Sequence, residues 1–186
     1  MRASEMGKGQ TVKVDGKLYV IVNFEHVKLG KGGAIYQTRL KNLADGSIQN
    51  VRLRSEESIE EAYLDDRTYE YLYSSGDEHV LMDLQSYEQI TLDDDAFGDG
   101  QKYLKPNTQL QVRMYEGKPV IIRLPNTVDL EVTEAPPDIK GATAADQRKS
   151  VTLETGLVLQ TPSFIRVGDI LRVDTRSGEY VTRVRE

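Results

Sequence analysis

Thr11-Val12-Lys13-Val14-Asp15-Gly16-Lys17-Leu18-Tyr19-Val20-Ile21-Val22 is the stretch that sets the fold class. Two short runs rich in β-branched residues flank Asp15-Gly16. That pair favours the positive-φ positions of a type I′ turn, so the segment reads as an antiparallel hairpin. Beyond His26 lies the loop Lys28-Leu29-Gly30-Lys31-Gly32-Gly33, followed by an alternating strand over 34–40. Asp45-Gly46 marks a second hairpin into a strand over 48–54. Four or five short strands in about 55 residues make a small barrel or curled sheet.

The same grammar continues downstream. The acid-rich stretch 55–62 loses the alternation and is expected to be a hinge. Strands are predicted over 69–73 and 79–84, joined across 74–78, and over 109–115 and 119–124, joined by Glu116-Gly117-Lys118. One short helix is expected within 93–105. Pro125 and Asn126 mark the next boundary. Strands then follow over 128–132, 156–160, 169–174 and 180–184, with a long polar loop over 134–150. No segment sustains a 3.6-residue apolar period, so helix should be scarce. The expectation is an all-β chain of three modules, 1–62, 63–125 and 126–186.

Charge is distributed unevenly. The formal net charge is −6. Residues 1–55 hold ten Lys/Arg against four Asp/Glu, residues 56–100 one against fifteen, and residues 101–186 thirteen against eleven. A basic head, a strongly acidic middle and a near-neutral tail of this kind report function or orientation more than fold. Two readings stay open for the acidic block: a solubilising face, or a segment that reports function or orientation.

Several chemistries are excluded by composition and spacing. There is no cysteine, so disulfides, thiolate metal sites and cysteine nucleophiles are out, in keeping with a reducing cytoplasm. No apolar run reaches the roughly 20 residues that span a bilayer, and no signal-peptide pattern follows Met1, so a cytoplasmic protein without a membrane partner is expected. No P-loop is present, and Gly30-Lys31-Gly32 precedes a strand rather than the helix of a dinucleotide fingerprint. His26 and His79 have no partners at ligand or triad spacing and read as strand-end residues. Asp93-Asp94-Asp95 lacks the glutamate that closes a calcium loop. No metal, no cofactor and no enzymatic activity are expected.

The loop over 28–33 carries the chemistry that remains. Glycine takes little width and accepts φ > 0, which suits a tip entering a narrow space. Lys31, between Gly30 and Gly32, has no neighbouring side chain to shield its ammonium, which can therefore reach phosphate or base edges. Spacing alone fits two readings: a solubilising lysine in a flexible turn, or a cation built for a confined anionic site.

Lys28-Leu29-Gly30-Lys31-Gly32, on a loop after a first β-hairpin, resembles the tip of the bacterial elongation factor P family. The likeness runs along the whole chain. Leu124-Pro125-Asn126-Thr127-Val128-Asp129-Leu130-Glu131-Val132 is similar to the family's junction between its second and third domains. Residues 149–156, Pro162 and Gly168 follow the spacing of its third-domain signature, and Asp174-Thr175-Arg176-Ser177-Gly178-Glu179-Tyr180-Val181 its C-terminal stretch.

The resemblance implies three small β-barrel domains, an SH3-like (KOW-type) first domain and two OB-folds, in an L-shaped, tRNA-like arrangement. It implies a monomeric translation factor that binds stalled ribosomes near the peptidyl tRNA, among rRNA and ribosomal proteins, and promotes peptide bond formation, notably at consecutive prolines. Lys31 would position the CCA end, with Lys28, Gly30, Gly32 and Gly33 forming the tip loop at the acceptor end. Lys31 would also carry a covalent extension added by a lysine-modifying enzyme. Gly141 and Thr143 would meet the exit-site codon of the mRNA, and Arg176 and Tyr180 would contact RNA near the C-terminus. Three departures stand out. Leu29 occupies a position where the family commonly has proline, which leaves the modifying chemistry open. Residues 144–148 are less glycine-rich than usual, and Thr161 stands in place of valine.

Three related classes differ from this chain at particular residues. An elongation factor P-like paralogue typically carries arginine at the tip and departs from the 175–180 tail. The hypusine-type initiation factor shares the tip logic but lacks a third domain. A non-ribosomal OB-fold nucleic-acid binder needs aromatics interleaved with basic residues, whereas Tyr63, Tyr69, Tyr71 and Tyr73 lie in the acidic block.

Overall fold

A computed structural model describes residues 1–28, 34–137 and 148–184. Fifteen strands are described, in three five-stranded sheets taken in chain order. The first contains β1 (Thr11–Val14), β2 (Lys17–Lys28), β3 (Ala34–Asn42), β4 (Ile48–Arg54) and β5 (Glu60–Glu61), in the order β4-β3-β2-β1-β5. The second contains β6 (Asp65–Ser75), β7 (Glu78–Asp83), β8 (Gln89–Asp93), β9 (Gln109–Tyr115) and β10 (Lys118–Arg123), in the order β10-β9-β6-β7-β8. The third contains β11 (Thr127–Glu134), β12 (Arg148–Leu153), β13 (Val158–Pro162), β14 (Ile170–Asp174) and β15 (Glu179–Val184), in the order β13-β12-β11-β14-β15. By packing, the chain divides into two compact units, residues 1–66 with 113–121 and residues 67–112 with 122–186.

The opening hairpin follows its sequence signal. Val14 pairs with Lys17, and Asp15 (φ 49°) and Gly16 (φ 77°) both adopt the left-handed conformation of a type I′ turn. Glu116 (φ 49°) and Gly117 (φ 77°) repeat that pattern between β9 and β10. The turn at Asp45-Gly46 is longer. Asn42 N–H donates to the Ser47 carbonyl at 2.8 Å, and Ser47 N–H donates to Asp45 Oδ1 at 2.8 Å, so the aspartate organises a wider loop.

Expectation and structure differ in the hinge, in two strands and in the helix. The predicted hinge over 55–62 holds β5, which pairs with Val12 and Lys13 and completes the first sheet. Its two apolar residues, Ile59 and Ala62, are buried, although the surrounding acids mask them in sequence. Strand β8 was not anticipated, and β12 lies partly inside the predicted polar loop. Both are short and carry their apolar residues singly among polar ones, a pattern completed only by pairing with β7 and β13. The single helix expected over 93–105 is one α-helical turn, α1 (Asp94–Phe97), capped by Asp93, followed by a 3-10 segment Gly98–Tyr103.

Each sheet has an inner face made by its alternate residues. Val12, Tyr19, Ile21, Leu40 and Ile59 form the core under the first sheet with Ala3 and Met6. Val128, Leu130, Val132, Val151, Leu153, Leu159, Ile165, Leu171 and Val173 form the core of the third. Truncating one of the fully buried leucines, such as Leu130 or Leu171, should cost about 2–5 kcal/mol.

Candidate functional site

The tip loop is carried by the hairpin of β2 and β3. The two strands pair from Tyr19↔Asn42 out to Val27↔Ile35 and Lys28↔Ala34, with a bulge between Ile21 and Asn23. Lys28 and Ala34 therefore close the hairpin. Gly30, Lys31, Gly32 and Gly33, like Gly141 and Thr143, lie outside the described residues.

The outward face of this sheet concentrates cations. Register places Lys41 opposite Ile48, Arg39 opposite Asn50, Gln37 opposite Arg52 and Ile35 opposite Arg54. Lys41, Arg39, Arg52 and Arg54 thus form a diagonal stripe across β3 and β4, from the Asp45-Gly46 turn toward the Lys28–Ala34 end. All four are exposed, and none has an ion pair among the described residues. Asn23 pairs with Arg39 and Glu25 with Gln37, which extends the polar array onto β2. The one carboxylate in the array, Glu25, accepts a hydrogen bond from Asn23 Nδ2 at 3.1 Å. Asn23, Glu25, Gln37, Arg39, Asn50 and Arg52 line a shallow groove of about 550 Å³. Unneutralised guanidiniums beside amide donors suit a phosphodiester backbone, whose oxygens accept from both.

The third sheet separates two residues that the sequence grouped. Tyr180, on β15, packs against the third core and lines a groove of about 450 Å³ with Arg148, Val158, Gln160, Pro162 and Glu179. Arg176 belongs to a different hollow, beside Phe97, Arg123 and Asn126. Its guanidinium is engaged by Asp174, with Nη2 to Oδ2 at 2.6 Å and Nε to Oδ1 at 3.1 Å. Hydrogen bonding from Arg176, side chain then backbone, holds the Asp174 carboxyl well below the usual range. The sequence did not single out Arg183, which stacks over the Phe164 ring at 5.6 Å and reaches Asp169 at 3.5 Å. Nothing in its spacing announced that contact, because the stack joins β15 to the turn before β14.

The two histidines differ in setting. His79 is buried on β7 rather than idle at a strand end. Its Nε2 lies 2.6 Å from Asp94 Oδ1, and its Nδ1 lies 3.1 Å from the Tyr71 hydroxyl. Each ring nitrogen thus has a polar partner, a carboxylate on one side and a hydroxyl on the other. His26 is exposed on β2 and stacks on Tyr36. Asp93 serves as a helix cap, accepting from Ala96 N–H at 3.2 Å. Among the described residues, no group of three His, Asp or Glu side chains is placed to hold a metal ion, and no helix is long and apolar enough to cross a membrane.

Three family models match in order: the elongation factor P KOW-like domain over residues 2–59, its OB domain over 64–122 and its C-terminal domain over 128–183. An elongation factor P of Coprothermobacter proteolyticus is 46% identical over 181 residues, covering 97% of each chain. One from Desulfatibacillum aliphaticivorans is 42% identical over 186 residues, covering 100% of each. The chain belongs to the elongation factor P family.

Among solved structures, eukaryotic translation initiation factor 5A from Methanococcus jannaschii matches with a TM-score of 0.57 and 25% identity. That match covers 67% of this chain and 94% of the other, so a third of this elongation factor P chain has no counterpart there. The family is one of translation elongation factors, and the all-β KOW-like and OB architecture agrees with it. Within that assignment, the hairpin stem and the cationic stripe both fall in the KOW-like domain, and the Tyr180 groove falls in the C-terminal domain.

Proposed function

We propose that this elongation factor P chain binds a ribosome with a stalled peptidyl tRNA and promotes peptide bond formation, notably at consecutive prolines. Lys31 acts at the CCA end, carried by the β2–β3 hairpin. The observation that carries the reading is the stripe of Lys41, Arg39, Arg52 and Arg54. In a chain of net charge −6, four exposed cations without ionic partners among the described residues lead toward the hairpin end that bears the tip loop. Such a face favours an RNA backbone, whose condensed counterions it can replace.

The chemistry of bond formation stays with the ribosome. The factor contributes position: an ammonium held near the acceptor end lowers the entropic part of the barrier. A covalent extension on Lys31, installed by a lysine-modifying enzyme, adds reach and amine donors. Lys28, Gly30, Gly32 and Gly33 shape the tip, Gly141 and Thr143 face the exit-site codon, and Tyr180 lies along RNA in the third domain. The chain acts as a monomer of three modules, bounded near residues 62 and 125.

The test is peptide bond formation on ribosomes stalled at a proline run, with wild type against Lys31→Ala. The variant is expected to fold normally and to lower the rate to the factor-free level. Rescue at the wild-type rate would overturn the proposal. Intact-mass analysis of native protein, with any added mass mapped to Lys31, tests the extension.

A further inference from the structure

The first core ends before the hairpin does. Ile21 and Leu40 are fully buried, Phe24 and Tyr36 are only partly so, and His26 is exposed. On its other side, β2 pairs with β1 only over Lys17–Val20, with Ile21 N–H donating to the Gln10 carbonyl just beyond. From Asn23 to Lys28, β2 is therefore the edge of the sheet among the described residues, held by β3 alone. Phe24 and Tyr36 pack against the margin of that core; an edge leg at such a margin frays, and a hairpin without further packing is marginal in water. Here three rings take over where the aliphatic core stops. Tyr36 stacks on Phe24 with centroids 5.0 Å apart and planes at 9°, and on His26 at 4.8 Å and 16°. Phe24 and His26 stand two residues apart on one face of β2, and Tyr36 is the β3 residue opposite His26. The stack thus ties the edge leg to its neighbour two residues short of Lys28.

We infer that Tyr36, with Phe24 and His26, is a positioning element: the aromatic stack holds the stem of the tip hairpin in one geometry, so that a group carried at its end acts at a defined place. The inference rests on the function proposed above. Stacked rings favour this use because each ring has few rotatable bonds and a preferred offset geometry. A stem held by one aliphatic contact would keep its pairing but lose its direction. Positioning of this kind appears in the maximal rate, whereas affinity is set by the cationic face.

The experiment measures peptide bond formation at a proline run against factor concentration for wild type, Tyr36→Ala, Tyr36→Phe and Lys31→Ala. Tyr36→Ala is expected to lower the rate at saturation about ten- to a hundred-fold. The half-saturating concentration should stay within about threefold, because the phosphate-facing cations remain. Tyr36→Phe keeps the ring and should restore the wild-type rate. A Tyr36→Ala variant that reaches the wild-type maximal rate, or that shifts only the half-saturating concentration, overturns the inference. If Lys31→Ala is inactive in the same assay, that failure belongs to the stack alone. If Lys31→Ala is as active as wild type, the proposed function fails and the inference falls with it. Should Tyr36→Ala not fold, His26→Ala removes only the exposed ring. A smaller loss in maximal rate is then expected, and an unchanged rate counts against the stack.

Discussion

On the first sheet, Lys41, Arg39, Arg52 and Arg54 stand exposed with no ion pair among the described residues. On the third sheet, Arg172 forks onto Asp129 at 2.7 and 2.8 Å, Arg176 forks onto Asp174, and Arg183 reaches Asp169. Both regions are rich in arginine, but those named on the third sheet are already held by carboxylates, and only Arg148 on β12 stands exposed there without an ion pair among the described residues. A guanidinium already held by a bidentate carboxylate must give up those bonds before it can accept a phosphate, and the exchange gains little. An unpaired one gains the full counterion-release term. The difference shows that the count of basic residues in a segment says less about polyanion binding than their pairing does.

The comparison can be broken most directly by removing the free pair. Arg39→Gln with Arg52→Gln should reduce the slope of log affinity for ribosomes against log salt by about two. An unchanged slope would place the polyanion contact elsewhere. A large effect on stability, by contrast, is expected at a buried acceptor. Asp83 is almost wholly buried and accepts from Gln85 N–H at 2.7 Å, Ser86 N–H at 3.3 Å and Arg67 Nη1 at 3.0 Å. Asp83→Ala should lower unfolding free energy by about 2–3 kcal/mol, read by denaturant titration, while leaving the salt slope of binding intact.

Acid should separate the two regions further. The Arg172 hydrogen bond, opposed by partial burial, lowers the Asp129 pKa, and hydrogen bonds from Arg176 lower that of Asp174. A carboxyl whose folded value lies below its unfolded value contributes stability above the unfolded pKa of about 4, and that contribution is lost as pH falls through the folded one. Circular dichroism on an Asp129→Asn, Asp174→Asn variant should therefore show a shallower loss of stability than wild type below about pH 4. Equal slopes would mean that these pairs do not contribute. The smallest effect is expected from Arg172→Gln, which should change the salt slope of binding by less than about half a unit. A drop near a full unit would show that the paired arginine also contacts RNA.

Much of the fold was legible because its signals are local. Asp15-Gly16 announced a type I′ turn, and the alternation over 34–40 and 48–54 announced strands close to the observed β3 and β4. Strand β5 hid in an acidic stretch, and β8 and β12 hid in segments with few apolar residues, because each is stabilised by the strand it joins rather than by its own composition. The candidate site was legible to a lesser degree. A basic head was visible as a sum of charges, but the stripe across β3 and β4 exists only in register, and the Phe24–Tyr36–His26 stack brings together residues ten and twelve positions apart. Tyr180 and Arg176, neighbours in sequence, proved to face different hollows.

By itself, the sequence determined the class of this protein: all-β, built from hairpins, with the ordered motifs of the elongation factor P family from residue 28 to residue 181. Turn dihedrals and alternating burial depend on near neighbours, so the chain order carries them. Only the tertiary structure decided which charges are spent and which are free. Arg172 meets Asp129 across 43 residues, while Arg39 forms no ion pair among the described residues. Coulomb and hydrogen-bond energies act at contact distance, and contact between distant residues is settled by strand register rather than by composition.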